Sequence, residues 1–175
     1  TIPLIMQLGA PSMQIRHWKQ LGVATHKEFK APPEDPQLKL GGLLELQLHE
    51  YAADVEEICD QAGKEDKMEK SLVKLKDFWS DKGSGDGVKW FVEMYKGTDV
   101  PLLKMDDEAF ESLEADQLAV QGMMASRYIK QFEEEVKQWF MELGMTSEVC
   151  QMLGEIQRTW SYLEPLFIGS EEVKK

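Results

Sequence analysis

Apolar residues recur along the chain at alternating spacings of three and four, which places them on one side of an α-helix. Five such stripes are present, and each predicts one helix: Tyr51, Val55, Ile58 and Ala62; Met68, Leu72, Leu75 and Trp79; Phe110, Leu113, Val120 and Met124; Ile129, Phe132, Val136, Trp139 and Leu143; Val149, Leu153, Ile156, Trp160 and Leu163. Because glycines interrupt the stripes, the pattern predicts packed antiparallel helices and not one coiled-coil rod.

The ends of these helices carry their own signals. Gly63 predicts a break between the first two stripes, and Gly144 predicts a break before the last. Asp106 and Asp107 precede the third helix and can accept hydrogen bonds from its free N–H groups. Thr146 or Ser147 is predicted to cap the fifth helix in the same way.

One stretch departs from the helical spacing. Val88, Trp90, Val92 and Met94 alternate with other residues at the two-residue period of a β-strand, and a turn follows over residues 96–99. Residues 100–103 can return as a second strand, with Pro101 confining it to an edge. We therefore predict one β-hairpin near residues 88–103, with its Trp90 face against the helices, because an isolated hairpin is only marginally stable.

The N-terminal part differs from the rest in composition. Short helices are predicted over residues 2–8 and 12–21, with Pro11 at the first turn of the second. Three prolines among charged residues between 25 and 40 predict an extended connector. The expected organisation is thus residues 1–40 as short helices with a Pro-rich connector, followed by a helical bundle with a hairpin over 41–175. The predicted fold class is mainly α: an antiparallel helical bundle with one small β-hairpin.

Composition narrows the possible functions. The chain of 175 residues has 20 Lys and Arg against 32 Asp and Glu, a formal charge of −12. Such a charge repels nucleic acid and anionic lipid, so neither is expected as a partner. The two cysteines, Cys59 and Cys150, make no metal-ligand spacing or disulfide framework, which favours a reducing intracellular compartment. The sequence contains no apolar run of membrane-spanning length, and its first residues lack the basic start of a secretory signal.

Candidate catalytic or cofactor-binding motifs are weak. The glycine-rich residues 83–87 have neither the spacing of a phosphate-binding loop nor a following helix, so a surface loop is the better interpretation. The same region lacks the carboxylate pattern of a calcium loop. The three histidines form no metal-binding motif, and His17 is expected to be a packed or capping residue. Cys59, next to the apolar stripe, is expected to be a half-buried, unreactive thiol.

The charged and aromatic residues favour structural roles. The acidic run beginning at Glu133 is interpreted as a solvated helix face, because Glu133 can pair with Lys137 at helical spacing. Trp79, Trp139 and Trp160 fall on apolar stripes and are expected in the core. No catalytic residue, metal ligand or cofactor site is predicted.

Several longer stretches together resemble dynein heavy chains. They read, in order, IRHWKQL from Ile15; LLELQLHEYAADVEEI from Leu43; AGKEDKMEKSLVKLKDFW from Ala62; DVPLLK from Asp99; SLEADQLAVQGMMASRYIKQFEEEVKQW from Ser112; and QRTWSYLEPLFIGSEEVKK from Gln157. The resemblance covers essentially the whole chain, and the last stretch is more similar to axonemal than to cytoplasmic heavy chains.

This resemblance implies the N-terminal part of the linker, the helical lever that swings over the AAA+ ring when the ring hydrolyses ATP. It implies that ATP and Mg bind in the ring of the parent chain and that this segment is not itself an enzyme. The implied partners are the ring and tail of the same heavy chain, and indirectly the intermediate and light chains, without direct microtubule contact. The implied location is the axoneme of a cilium or flagellum. The residues that carry the family pattern are Arg16, His17, Trp18, Trp79, Trp139, Gln157, Arg158, Trp160, Tyr162 and Leu163.

Two other interpretations remain open. An acidic helical scaffold or adaptor would bind partner helices without a motor role, but its expected internal repeat is not found. A helical-bundle enzyme would need proton-transfer or metal-binding residues that the sequence does not supply. A helix start at Ser170, followed by Glu171 and Glu172, leads us to expect further chain beyond residue 175.

Overall fold

The computed structural model describes residues 2–27, 47–79, 91–104 and 107–167. Within these ranges the helices are α1 (Ile2–Leu8), α2 (Ile15–Thr25), α3 (Ala52–Trp79), α4 (Asp107–Met124) and α5 (Glu133–Phe167), and the strands are β1 (Phe91–Met94) and β2 (Pro101–Lys104). The chain forms two compact units, residues 1–71 and 72–175, here called the N-terminal and C-terminal units. The predicted fold class, mainly α with one small β-hairpin, is confirmed.

The N-terminal unit is built on a core contributed by three helices and the turn before α3. Its buried apolar residues are Leu4, Leu8, Trp18, Leu21, Leu48, Val55 and Ile58. Leu21 and Val55 are completely buried. These residues recur at helical spacing in α2 and α3, so the core follows directly from the apolar stripes of the sequence.

Helix α2 begins later than predicted. Gln14 precedes it with an extended backbone, and its N–H donates to His17 Nδ1 at 3.1 Å. Pro11 therefore lies before the helix and not in its first turn. The helix ends at His26, whose backbone is left-handed with φ of 53°, a conformation that satisfies the last carbonyl groups.

The predicted break at Gly63 is wrong, because α3 runs without interruption over 28 residues. Burial continues across Gly63 at spacings of three, because Ala62, Glu65 and Met68 are all buried along one helix. A glycine inside a helix costs about 1 kcal/mol relative to alanine. Continuous burial on both sides of Gly63 offsets a cost of that size.

The C-terminal unit contains a helical hairpin formed by α4 and α5, joined by a short connection with one 3₁₀ turn at Ile129–Gln131. Helix α4 buries Ala109, Leu113, Val120 and Met123, and α5 buries Val136, Leu143 and Cys150. The Gln117 amide donates to the Leu143 carbonyl at 3.1 Å, and Phe110 faces the same depression as Cys150. Because residue numbers rise along one helix as they fall along the other, the two helices are antiparallel.

The predicted helix start after Gly144 is also wrong. Helix α5 continues through this glycine over 35 residues, with Pro165 in its last turns. Thr146 does not cap a helix, since its hydroxyl donates to the Glu142 carbonyl one turn earlier in the same helix. The fifth stripe is not a core face either. Except for half-buried Trp160, its residues are exposed, and α5 instead buries residues at every seventh position.

The predicted hairpin is confirmed, with Phe91 paired to Lys104 and Met94 paired to Pro101 in an antiparallel register. Its orientation differs from the prediction. Val92 and Met94, which share the two-residue period of Trp90 in the sequence, are exposed, whereas Tyr95, in the 3₁₀ turn that follows β1, is buried. The turn takes left-handed backbone at Gly97, with φ of 75°, where a glycine carries no steric penalty.

Several sequence predictions lie outside the described residues. These are the Pro-rich connector and the boundary near residue 40, the position of Trp90 itself, the loop at 83–87, and the helix start at Ser170. In the described part of the chain, no helix has the combination of length and apolar character that crossing a lipid bilayer requires.

Candidate functional site

The first polar cluster joins the start of α2 to the middle of α3 in the N-terminal unit. The Glu65 carboxylate, 3% exposed, accepts hydrogen bonds through Oε2 from Arg16 Nε at 2.8 Å and from His17 Nε2 at 3.0 Å. Its other oxygen, Oε1, accepts from the Gln61 amide at 2.6 Å. One turn further along α3, Glu69 accepts from the Gln14 amide at 3.1 Å. Two carboxylates of α3 therefore fix the first turn of α2.

His17 is completely buried and has both ring nitrogens in use. Nδ1 accepts from the Gln14 N–H, so the neutral ring carries its proton on Nε2, which donates to Glu65. The residue completes a capping box at the start of α2. The expectation of a packed and capping histidine agrees with this geometry.

Glu65 has a perturbed acidity. Burial by itself raises the pKa of its carboxyl group, but hydrogen bonds from Gln61, Arg16 and His17 and the charge of Arg16 outweigh burial and hold the pKa below its ordinary value of 4.5. The charged form is therefore the one that the folded N-terminal unit stabilises.

This acidity predicts a pH dependence of stability. A carboxyl group whose pKa is lowered by folding contributes stability that is fully present above its unfolded-state value and is lost as the pH falls through the folded-state value. We expect the free energy of unfolding to fall as the pH drops below about 4.5. Urea titrations between pH 7 and pH 3 should show a smaller fall for Glu65→Gln than for the wild type. Parallel profiles for the two proteins would contradict the expected contribution of Glu65.

The second polar cluster fixes the hairpin on α5. The Gln157 amide accepts from the Leu103 N–H at 2.7 Å and donates to the Leu103 carbonyl at 2.9 Å. The Tyr95 ring packs edge-on against Trp160 with centroids 4.5 Å apart, and its hydroxyl donates to Glu164 at 3.1 Å. Three successive turns of α5 thus hold the start of the hairpin turn, at Tyr95, and the second strand, at Leu103.

A third contact joins the end of α3 to α4. The Trp79 indole N–H donates to the Asp116 carboxylate at 2.7 Å, and the Trp79 ring packs edge-on against Phe78 with centroids 5.4 Å apart. Trp79 is half-buried, so it acts at the edge of the core and not in its centre. The bond satisfies the single donor of the indole ring.

The structure thus brings five of the ten family-pattern residues into these clusters, namely Arg16, His17, Trp79, Gln157 and Trp160. Trp18 is buried in the core of the N-terminal unit. Trp139 is half-buried on α5, Arg158 donates to the Gly154 carbonyl of its own helix, and Tyr162 is 74% exposed. Leu163 lies beside Trp160 in a shallow depression.

Sequence reasoning did not find four members of these clusters: the acceptors Glu65, Asp116 and Glu164, and Tyr95, which donates to Glu164. For Glu65 a signal existed, because it lies three residues after Ala62 on the buried stripe of α3. A carboxylate at a core position predicts a buried cationic partner. For Asp116 and Glu164, which lie on acidic helices, the sequence offers no comparable signal.

Neither thiol has the properties of a reactive group. Burial and the neighbouring Glu56 charge raise the pKa of the half-buried Cys59, and burial raises the pKa of Cys150. This agrees with the expectation of an unreactive Cys59. Across the ranges that the structure describes, no group of three or more His, Cys, Asp or Glu residues could hold a metal ion. The described polar clusters join one element of the fold to another.

The fold and these contacts define a mainly α-helical protein whose polar side chains connect helices and a hairpin. A family model described as dynein heavy chain, N-terminal region 2, matches residues 1–175. The chain belongs to this family of dynein heavy chains, which confirms the resemblance found in the sequence.

Individual relatives agree with the family match. The dynein alpha chain of the flagellar outer arm of Chlamydomonas reinhardtii is 45% identical over 175 residues, 100% of this chain and 4% of the relative. The ciliary dynein beta chain of Tripneustes gratilla is 38% identical over 170 residues, and so is the dynein axonemal heavy chain 9 of Homo sapiens; each alignment covers 97% of this chain and 4% of the relative. All three names are axonemal, ciliary or flagellar, as the last stretch of the sequence suggested.

Proposed function

We propose that this chain is part of the linker of an axonemal dynein heavy chain and acts as a mechanical lever in a cilium or flagellum. In this proposal it passes motion between the AAA+ ring and the tail of the same heavy chain. ATP and Mg bind elsewhere in the heavy chain, and this segment catalyses no reaction. The intermediate and light chains are indirect partners.

The observation that carries the proposal is the attachment of the hairpin to α5. Gln157, Trp160 and Glu164 lie on one side of the helix and hold the hairpin over successive turns. The helix has 35 residues and is therefore about 52 Å long. When the hairpin is held rigidly on a long helix, a displacement of the hairpin moves the whole helix, and neither is deformed locally. This is what a lever requires.

The test compares two matched variants of a full-length axonemal heavy chain. Gln157→Ala with Tyr95→Phe removes three hydrogen bonds of the hairpin but keeps the aromatic contact with Trp160, which weakens the attachment by about 2 kcal/mol. We expect microtubule gliding velocity to fall while the basal ATPase rate stays unchanged, because force is then transmitted less well although the ring still works.

The matched control is Gln151→Ala with Tyr162→Phe, which makes the same chemical changes at exposed positions of the same helix. It should leave both gliding velocity and ATPase rate unchanged. An unaltered gliding velocity in the hairpin variant, or an ATPase loss that matches the loss of velocity, would contradict the lever role.

A further inference from the structure

Helix α5 has a second apolar face besides the one that packs on α4. Its members, here called the outer stripe, are Met141, Met145, Val149, Met152, Ile156, Leu163 and Phe167. They follow one another at spacings of three, four or seven, so they share one side of the helix. The buried Val136, Leu143 and Cys150 repeat at every seventh position on a different side.

Every member of the outer stripe is exposed, from 37% at Leu163 to 66% at Met145. Met145 is 66% exposed, Ile156 is 62% exposed and Phe167 is 59% exposed. Near its end, Ile156, Leu163 and Phe167 line a shallow depression of about 560 Å³ together with Trp160. A single exposed apolar residue is ordinary, but a continuous apolar stripe on a helix marks an interaction surface.

The margin of the outer stripe carries a specific charge pattern. Glu148 lies three residues after Met145, and Glu155 lies three residues after Met152, so both follow the same edge of the stripe. Both side chains are exposed. A partner helix with Lys or Arg along the facing edge of its own apolar stripe would be matched in charge as well as in apolar spacing.

These features exclude a second copy as the best partner. Each chain carries a formal charge of −12, so two copies repel one another. Pairing of the stripe with itself in antiparallel orientation would also bring Glu148 of each copy close to Glu155 of the other. The remaining heavy chain is the more favourable source, because this chain covers only 4% of the relatives that it matches. A covalently connected segment also binds at a high effective concentration.

We propose that the outer stripe of α5 binds an amphipathic helix from another part of the same dynein heavy chain, with Lys or Arg side chains facing Glu148 and Glu155. The proposal rests on membership of the dynein family and not on the lever role. The bound helix buries the methionines of the stripe and completes a core on the second side of α5.

The three methionines of the stripe report directly on its coverage in the full-length heavy chain, because oxidation of methionine follows its exposure. We expect peroxide to oxidise Met145 and Met152 at rates close to that of Met123, which is 8% exposed in this chain, and roughly tenfold more slowly than in the denatured heavy chain. Rates close to those of the denatured heavy chain would overturn the proposal.

Charge reversal tests the predicted chemistry of the partner. Glu148→Lys with Glu155→Lys should speed the oxidation of Met145 and Met152 several-fold in the full-length heavy chain. The matched control, Glu111→Lys with Glu114→Lys, makes the same change of charge at exposed positions of α4 and should leave the rates unaltered. Equal rates in the two variants would overturn the pairing of Lys or Arg with the margin.

The source of the partner is tested by photocrosslinking from position 145 of the full-length heavy chain in its purified complex. We expect mass spectrometry to identify a peptide of the same heavy chain with apolar residues at spacings of three and four and with Lys or Arg among them. A photocrosslinker at position 114, which is exposed on α4, should not capture that peptide. Capture of another subunit, capture of a second copy or the absence of a crosslink would each overturn the proposal.

Discussion

Replacement of Glu65 by leucine should destabilise the N-terminal unit by about 3 kcal/mol. The substitution removes the acceptor shared by Arg16 and His17 and leaves a half-buried guanidinium and a buried ring N–H without that partner. Breaking a buried ion pair typically costs about 3–5 kcal/mol. We expect a cost at the lower end, because the Arg16 side chain is 27% exposed and keeps some contact with water. Urea unfolding followed by tryptophan fluorescence measures the effect, since Trp18 lies in the same core.

Two comparisons isolate the role of the buried carboxylate. Asp66→Ala removes an ion pair with Lys70 one position along α3, but that pair is exposed and its loss should cost less than about 1 kcal/mol. Arg16→Met combined with Glu65→Leu should cost less than Glu65→Leu alone, because no unpaired charge is left. A double variant that is less stable than Glu65→Leu would show that the unpaired arginine is not the source of the loss.

Replacement of Leu143 by alanine should destabilise the C-terminal unit by about 3 kcal/mol. Leu143 is 2% exposed and lies midway along the seam between α4 and α5, between Val136 and Cys150. Its truncation leaves a cavity between two long helices that cannot close without moving their backbones. Hydrogen exchange of the α4 and α5 amides measures the loss, because local opening then becomes more frequent.

The control is Met145→Ala, two residues away on the same helix but on its outer stripe. Met145 is 66% exposed in this chain, so its truncation should change stability by no more than about 0.5 kcal/mol in the isolated 175 residues. Similar losses for the two substitutions would mean that the two sides of α5 do not differ as the structure describes.

The helices themselves could be predicted from the sequence because their apolar spacing is regular. Their ends were harder to predict, since Gly63 and Gly144 both lie inside long helices. A glycine lowers helix stability only slightly, and continuous packing on both sides overrides that local preference. The sequence contained only part of this information, because Ala62, Glu65 and Met68 follow one another at spacings of three across Gly63 but the charged Glu65 interrupts the apolar pattern.

Burial along α5 could not be predicted from spacing alone. The helix has two apolar faces, and the pattern cannot say which of them meets α4. The sequence correctly placed Leu143 on an apolar stripe, but it also favoured the stripe from Val149 to Leu163, whereas the structure buries Cys150 and leaves most of that stripe exposed. For a long helix with apolar residues on two sides, the sequence alone does not show which side packs into the core.

The sequence identified some residues of the polar clusters but not the partners that they bind. Arg16 and His17 were identified through the family pattern, but their acceptor Glu65 lies 49 residues after Arg16. Spacing along one helix carries no information about such pairs, because they depend on how separate helices meet. The same holds for Gln157, whose partner is the backbone of Leu103.

The double bond between Gln157 and Leu103 also bears on aggregation. An uncovered strand edge is a template on which a strand of another molecule can add by backbone hydrogen bonding. The Gln157 amide occupies the Leu103 N–H and carbonyl, the two groups through which an incoming strand would add at that point. One glutamine side chain on a helix therefore protects the outer edge of β2 from intermolecular strand pairing at its third residue, between Pro101 and Lys104, the proline and the charge at the two ends of the strand.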